Sequence, residues 1–220
     1  MKAILSLLLV FAITLISYGQ NGTTHTFRIE GMTCNNCANT ATKALSKMKG
    51  VSSAKVVFES KTATVVAADS ITREDLRQKI KSINFEALFD SDSLAPELTK
   101  EEKEKLNIQV VKGGDKIKVK DYLATDTITI FDFYADWCGP CRVFSPKLER
   151  LLIDHPKVKL VKVDIVAWKS ALSKQLTKEY QFPALPFVLI FDDQGKLLGK
   201  VQGNFIEKVE AVLNKNEKKG

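Results

Sequence analysis

The stretch Ile128-Thr129-Ile130-Phe131-Asp132-Phe133-Tyr134-Ala135-Asp136-Trp137-Cys138-Gly139-Pro140-Cys141 decides how the second half of this chain folds. Ile128–Tyr134 reads as an apolar run carrying one carboxylate, Asp132, the pattern of a central strand buried on both faces. The strand delivers Cys138 to the start of a predicted helix, where unpaired backbone N–H groups and the helix dipole favour a thiolate. A dithiol that exchanges disulfides needs one exposed cysteine of low pKa to attack and a second close by to resolve the mixed disulfide. Cys138 fits the first role, and Cys141, one turn further in, fits the second. Pro140 suits the first helical turn because the N–H it lacks has no partner there.

Outward from this segment, Val143, Leu148, Leu151 and Leu152 mark the inner face of the helix that follows, and Val158–Val163 is a second buried strand. Leu172 and Leu176 belong to another helix. Val188–Phe191 and Leu197–Val201 flank the turn Asp192-Asp193-Gln194-Gly195 as a hairpin, and Phe205, Ile206, Val209 and Leu213 lie on a terminal amphipathic helix. Short strands are predicted upstream at Ile108–Val111 and Ile117–Val119. The whole of 106–220 reads as an α/β domain with a central mixed sheet.

A polar stretch, Ser91–Glu97, and the charge run Lys100–Lys105 make 91–105 a linker, its charged part either a solvated helical turn or tether. Before it, residues 25–90 alternate strand and helix periods. Phe27 and Ile29 alternate with polar residues. Ala38, Ala41, Leu45 and Met48 recur at helical spacing up to Gly50. Ala54, Val56 and Phe58, then Ala63, Val65 and Ala67, form a hairpin about Ser60-Lys61. Thr72-x-x-Asp75 opens a helix with Leu76, Ile80 and Ile83 inward, and Phe85–Phe89 is a last strand. The order β-α-β-β-α-β is ferredoxin-like.

The N-terminus has a different character. Met1-Lys2, an apolar run from Ala3 to Ile16, and Ser17-Tyr18-Gly19 describe a secretory signal peptide over 1–19. The run is shorter than the ~20 residues of a membrane span; an uncleaved anchor is the alternative. An exported, periplasmic protein is expected, touching membrane only through the leader or a partner. The charge is +7, from 33 basic and 26 acidic side chains scattered with mixed sign, so no basic stripe points to nucleic acid.

All four cysteines fall in two local Cys-x-x-Cys pairs, Cys34/Cys37 and Cys138/Cys141. Neither pair can staple distant loops, so both read as chemistry. Spacing disfavours a shared zinc ribbon: the pairs stand about a hundred residues apart, against the ~15–20 of that site.

Asp132–Cys141 closely resembles the strand-to-active-site segment of the thioredoxin family, and the resemblance covers roughly 106–215. It implies a protein-disulfide oxidoreductase with a redox-active Cys138–Cys141 disulfide set among Trp137, Gly139 and Pro140. It further implies that Asp132 is a buried carboxylate aiding proton transfer at Cys141, that Lys162 neighbours it, and that Pro186 is the cis-proline facing the disulfide. Gln181 replaces the usual glycine before the cis-proline loop, and Phe187 replaces the common threonine after it. Both are expected on the substrate-contacting side, where they would narrow the choice of partner.

Gly31-Met32-Thr33-Cys34-Asn35-Asn36-Cys37 resembles the loop of the heavy-metal-associated domain of copper chaperones, metal-pumping ATPases and mercury-binding proteins, over roughly 25–90. The resemblance implies that Met32 packs inward and that Cys34 and Cys37 bind Cu(I) or another soft ion, Hg(II) or, less suited, Zn(II). Asn84-Phe85 stands where many members have Gly-Tyr. The pair also admits a second reading as a redox dithiol exchanging with Cys138/Cys141.

Together these features predict an exported disulfide reductase with an attached soft-metal domain. Its partners would be disulfide-bearing proteins, metalloproteins among them, and a membrane protein supplying electrons. The rival reading is a periplasmic copper or mercury carrier whose second domain keeps Cys34 and Cys37 reduced.

Overall fold

A computed structural model describes residues 22–90 and 92–217; the leader expected at 1–19 lies outside the described residues. Among them no helix is long and apolar enough to cross a membrane.

The first sheet comprises β1 (Gly22–Glu30), β2 (Val51–Val57), β3 (Thr62–Ala68) and β4 (Glu86–Leu88), ordered β2-β3-β1-β4 with every pairing antiparallel. Helices α1 (Asn35–Ser46) and α2 (Arg73–Lys81) bury Leu45, Leu76 and Ile80 against Phe27, Ile29 and Val65 of the sheet. This is the ferredoxin-like arrangement that the alternating periods predict. The start of α2 is set by a reciprocal cap. The Asp75 N–H donates to Thr72 Oγ1 at 3.1 Å, and the Thr72 N–H donates to Asp75 Oδ2 at 2.8 Å.

The second sheet holds β5 (Ile108–Val111), β6 (Thr129–Tyr134), β7 (Lys159–Asp164), β8 (Phe187–Phe191) and β9 (Leu197–Gln202), in the order β5-β7-β6-β8-β9. The first three run parallel; β8 and β9 run antiparallel to their neighbours. Strand β6 is central and buried from Thr129 to Phe133, as its apolar run requires. Alternation divides its side chains between two cores. Phe131 and Phe133 join Leu172, Leu176 and Phe187 on one face, beneath α5 (Ala171–Tyr180). Ile130 joins Phe144, Leu148, Val209 and Leu213 on the other, beneath α4 (Gly139–Asp154) and α6 (Ile206–Glu217). Asp132 shares Ile130's parity and so falls on the α4 side.

One predicted strand is absent. Gly113 (φ +110°) and Gly114 (φ +70°) turn the chain out of β5, and Ile117–Val119 finds no strand to pair with. The Gln175 side chain satisfies the backbone of Ile117 instead. It accepts from the Ile117 N–H at 3.0 Å and donates to its carbonyl at 2.7 Å. Val119–Tyr122 then forms a 3-10 turn.

The charge run after Pro96 forms a short helix, α3 (Lys100–Glu104), capped by Thr99 and lying along α4. Leu98 is buried, Arg150 donates to the Pro96 carbonyl at 2.6 Å, and Lys103 pairs with Glu149 at 3.0 Å.

The two sheets' domains meet through β4 and the turn before it. Glu86 pairs with Lys147 of α4 at 2.6 Å and accepts from Asn204 Nδ2 at 2.9 Å. Lys81 pairs with Glu207 at 2.8 Å and lies over the Phe205 ring. Asn84 adopts a left-handed conformation (φ +68°), which asparagine tolerates. Its side chain lies so close to Gly203 that a β-carbon there would collide with Asn84 Oδ1.

Candidate active site and metal loop

Helix α4 starts where β6 ends, and Cys138 is its N-cap. The Cys141 N–H donates to Cys138 Sγ at 3.2 Å, and the two cysteines are joined by a disulfide. Sulfur thus occupies the anion-favouring position at the helix N-terminus that the sequence predicts. Trp137 stands exposed beside it. The indole N–H donates to the Val166 carbonyl at 2.7 Å, and its ring lies 5.7 Å from that of Trp168. The Leu185–Pro186 bond is cis, and the Pro186 carbonyl accepts from the Gly203 N–H at 2.8 Å.

Two expectations are corrected here. Cys138 is only 4% exposed, where an open nucleophile was expected. The turn Gly31–Thr33 of the first domain is stacked on the residues next to it. A β-carbon at Gly139 would collide with the Gly31 carbonyl oxygen and stand 2.7 Å from Thr33 Cγ2. Phe187 is 1% exposed and packs on Phe133 and Phe182 in the core, so it is not a substrate contact. Gln181 is exposed and forms the left-handed cap of α5 (φ +55°), a conformation that favours glycine.

Asp132 is fully buried. Loss of solvent pushes its carboxyl up to about 6, against the opposing pull of the Lys162 ammonium and a hydrogen bond from Ser145 Oγ at 3.0 Å. Ser145 lies one turn beyond Cys141 on α4, so the same helix face that carries the Cys141 sulfur also touches the carboxylate. Lys162 sits directly across the parallel β6–β7 ladder from Asp132, as the resemblance implies. Its ammonium, however, is drawn to Glu149 at 2.5 Å, not to Asp132 itself. Glu149 is 5% exposed. Burial alone would raise its pKa, but hydrogen bonds and charge from Lys162 and Lys103 outweigh that and hold it below the ordinary range. Cys141, Ser145, Glu149, Lys162 and Tyr134 line a cleft of about 280 Å³.

Glu149 and Ser145 were not singled out by sequence reading. Their signal was present: positions 141, 145 and 149 repeat every four residues, one stripe of the helix. What was not visible was that β7 brings Lys162 to that stripe.

In the first domain, Cys34 is the N-cap of α1 and is exposed, and Cys37 lies in its first turn. Their sulfurs stand 3.1 Å apart as free thiols. Burial of Cys37 opposes its ionisation, but hydrogen bonds from Thr33 and Cys34 prevail and its pKa falls below the usual thiol value. Met32 is buried in the domain core, and Phe85 packs against Gly31. Among the described residues no cluster of three or more His, Cys, Asp or Glu side chains is placed to share an ion. Two adjacent soft donors on an open loop fit a two-coordinate soft ion and fall short of the four ligands of structural zinc.

Asp132 holds its proton more tightly folded than unfolded. Folding stability attributable to it is therefore full below its ordinary pKa of 3.8, falls as pH rises, and reaches its minimum above about 6. Asp132→Asn should stabilise the fold by about 3 kcal/mol at pH 8 and by almost nothing at pH 4, read by urea denaturation. Glu149→Gln should release Lys162 toward Asp132 and lower the carboxyl's midpoint by on the order of one pH unit, followed by carbon NMR of a labelled Asp132. An unmoved midpoint would show that Glu149 has no part in tuning Asp132.

Comparison with known proteins places both halves. Residues 26–86 match the heavy-metal-associated domain family, and residues 110–215 match the thioredoxin family. Mitochondrial thioredoxin-3 of Saccharomyces cerevisiae is 31% identical over 124 residues, spanning 56% of this chain and 79% of that protein. Thioredoxin of Mycoplasmoides gallisepticum is 34% identical over 96 residues, 44% of this chain and 89% of that protein. Among solved structures, the Cu(I)-loaded N-terminal domain of a potential copper-translocating P-type ATPase from Bacillus subtilis is 33% identical. It covers 33% of this chain and 94% of that one, with a TM-score of 0.30. A cysteine pair capping a helix at the end of a buried strand, a carboxylate beneath it, and relatives matched over most of their own length lead to one conclusion: this chain belongs to the thioredoxin family and carries a heavy-metal-associated domain ahead of its redox domain.

Proposed function

We propose that this protein is an exported disulfide reductase whose clients include soft-metal-binding proteins. The observation that carries the reductase reading is the Cys138–Cys141 pair at the N-terminus of α4, above a buried carboxyl whose pKa lies near 6. In the reduced protein the helix terminus stabilises the Cys138 thiolate, which attacks one sulfur of a client disulfide and displaces the other as thiolate. Asp132 is poised near neutral pH to take the proton of Cys141, reaching it past Ser145. The freed Cys141 thiolate attacks Cys138 Sγ, closing the Cys138–Cys141 disulfide and releasing the client as a dithiol. The exposed rings of Trp137 and Trp168 offer an apolar contact for a protein client beside the redox pair.

Outside the cytoplasm the resulting disulfide has no cytosolic reductant, so a membrane protein carrying dithiol equivalents is the electron donor of this reading. Export rests on the sequence of residues 1–19. Cys34 and Cys37 would hold the soft ion, Cu(I) in the first instance, as thiolate ligands on the open loop; bound there, the ion is cargo and takes no part in the exchange chemistry. The carrier reading keeps the same residues and reverses the emphasis, and the seating of Gly31 and Thr33 on the redox centre speaks for it.

Cys138→Ala should abolish insulin reduction driven by dithiothreitol, leaving only the uncatalysed rate; undiminished turnover would exclude the reductase. Titration of Cu(I) against a competing chelator should show Cys34→Ser/Cys37→Ser binding at least ~100-fold more weakly, because removing ligands costs more than the 10–100-fold typical of groups that merely orient them. Unchanged binding would remove the metal assignment.

A further inference from the structure

The face that thioredoxin-type exchange requires to be open is occupied in this chain by its own first domain. Gly31 and Thr33 lie on Gly139 and Pro140, the residues following the attacking cysteine. Asn84 fills the space over Gly203, whose N–H is bonded to the Pro186 carbonyl. Beside this contact two ion pairs join the domains, Glu86 with Lys147 and Lys81 with Glu207, and Asn204 donates to Glu86 as well. Lys147 and Glu86 are both largely buried, at 19% and 25% side-chain exposure, so that pair is desolvated, while Glu207 of the second pair stays half-exposed. Cys34 follows Thr33 directly and is exposed. The seated element is therefore the loop that carries a second cysteine pair.

Cys138 and Cys141 are joined, while Cys34 and Cys37 are free thiols. We propose that the first domain is the resident client of the redox centre: its seat on the start of α4 brings an oxidised Cys34–Cys37 pair to Cys138 of the same chain for reduction, and the same seating slows external disulfides. The proposal rests on the reductase reading of Cys138 and Cys141.

The step balances within the chain. The Cys138 thiolate attacks Cys34 Sγ, breaking the Cys34–Cys37 bond and leaving Cys37 as thiolate. Cys141, deprotonated, then attacks Cys138 Sγ, breaks the Cys138–Cys34 bond and leaves Cys34 as thiolate. Two electrons pass from one dithiol to the other disulfide, and an external dithiol recharges Cys138–Cys141. An intrachain client has an effective concentration in the ~mM range for a short tether, which outcompetes a dilute free protein disulfide. Regenerating free thiols at Cys34 and Cys37 restores the soft-donor pair after oxidation.

The test uses the full chain. In Cys141→Ser, air-free oxidation with diamide should trap a Cys138–Cys34 disulfide inside monomers, identified by non-reducing peptide mapping. Its yield should be unchanged over an about hundredfold dilution, as an intramolecular bond requires. Lys81→Glu/Lys147→Glu places like charges against Glu207 and Glu86 and should cut that yield severalfold. In the chain with all four cysteines the same two changes should raise insulin reduction severalfold, which also shows that the variant is folded. Insulin reduction without any Cys138–Cys34 bond, or a bond found only between molecules, overturns the inference while the reductase reading stands. A trapped yield indifferent to the charge reversal overturns the seating as its cause. Loss of insulin reduction in both seated and unseated forms defeats the reductase reading instead.

Discussion

Helix α4 is the element through which every other part of this molecule acts. Its N-terminus holds the Cys138 sulfur, and its first turn carries Cys141. Ser145, one turn on, bonds Asp132; Lys147 pairs with Glu86 of the first domain; Glu149 gathers Lys162 and Lys103; Arg150 holds the connecting segment at Pro96. The helix places these contacts by its period alone, 3.6 residues per turn. One stripe faces the redox centre, an adjacent stripe faces the first domain, and the apolar stripe of Phe144, Leu148 and Leu152 anchors all of them to β6 and β8. Displacing α4 would therefore disturb exchange chemistry, domain contact and linker together.

Burial makes the chemistry of Asp132 costly and useful at once. A carboxyl on a central strand, with Oδ1 lacking any partner among the described residues, has no water to favour its anion. A lysine in direct contact would undo that effect by pairing with it. Glu149 prevents full pairing by drawing the Lys162 ammonium to itself, so Lys162 acts on Asp132 only through space. Burial keeps Asp132 protonatable near neutral pH, and the charge of Glu149 adds a smaller push in the same direction.

The domain contact shows how departures from family pattern acquire a physical reason. Asn84 holds the left-handed backbone conformation and adds a side chain where glycine has none, and that side chain meets Gly203 of the other domain. Gly203 has to remain without a β-carbon both for its own backbone angle (φ +86°) and for Asn84. Gly139 likewise leaves room for the Gly31 carbonyl. Two cysteine pairs far apart in sequence are in this way brought to one surface by small residues on both sides.

Local pattern determined much of this protein. The alternation of Phe27 and Ile29, the cap at Thr72 and Asp75, and the unbroken burial of β6 follow from side-chain periods that act within a few residues, and they are legible without a partner. The two Cys-x-x-Cys pairs announce their chemistry for the same reason. Ile117–Val119 misled because its strand-like pattern depends on a neighbour that Gly113 and Gly114 turn the chain away from, and Gln175 from a distant helix supplies its bonds. The diversion of Lys162 to Glu149, the burial of Phe187, the covering of Cys138 and the seating of Gly31 and Thr33 on Gly139 were decided by tertiary structure alone. Each depends on which surfaces meet across long separations in the chain, and no side-chain period records that.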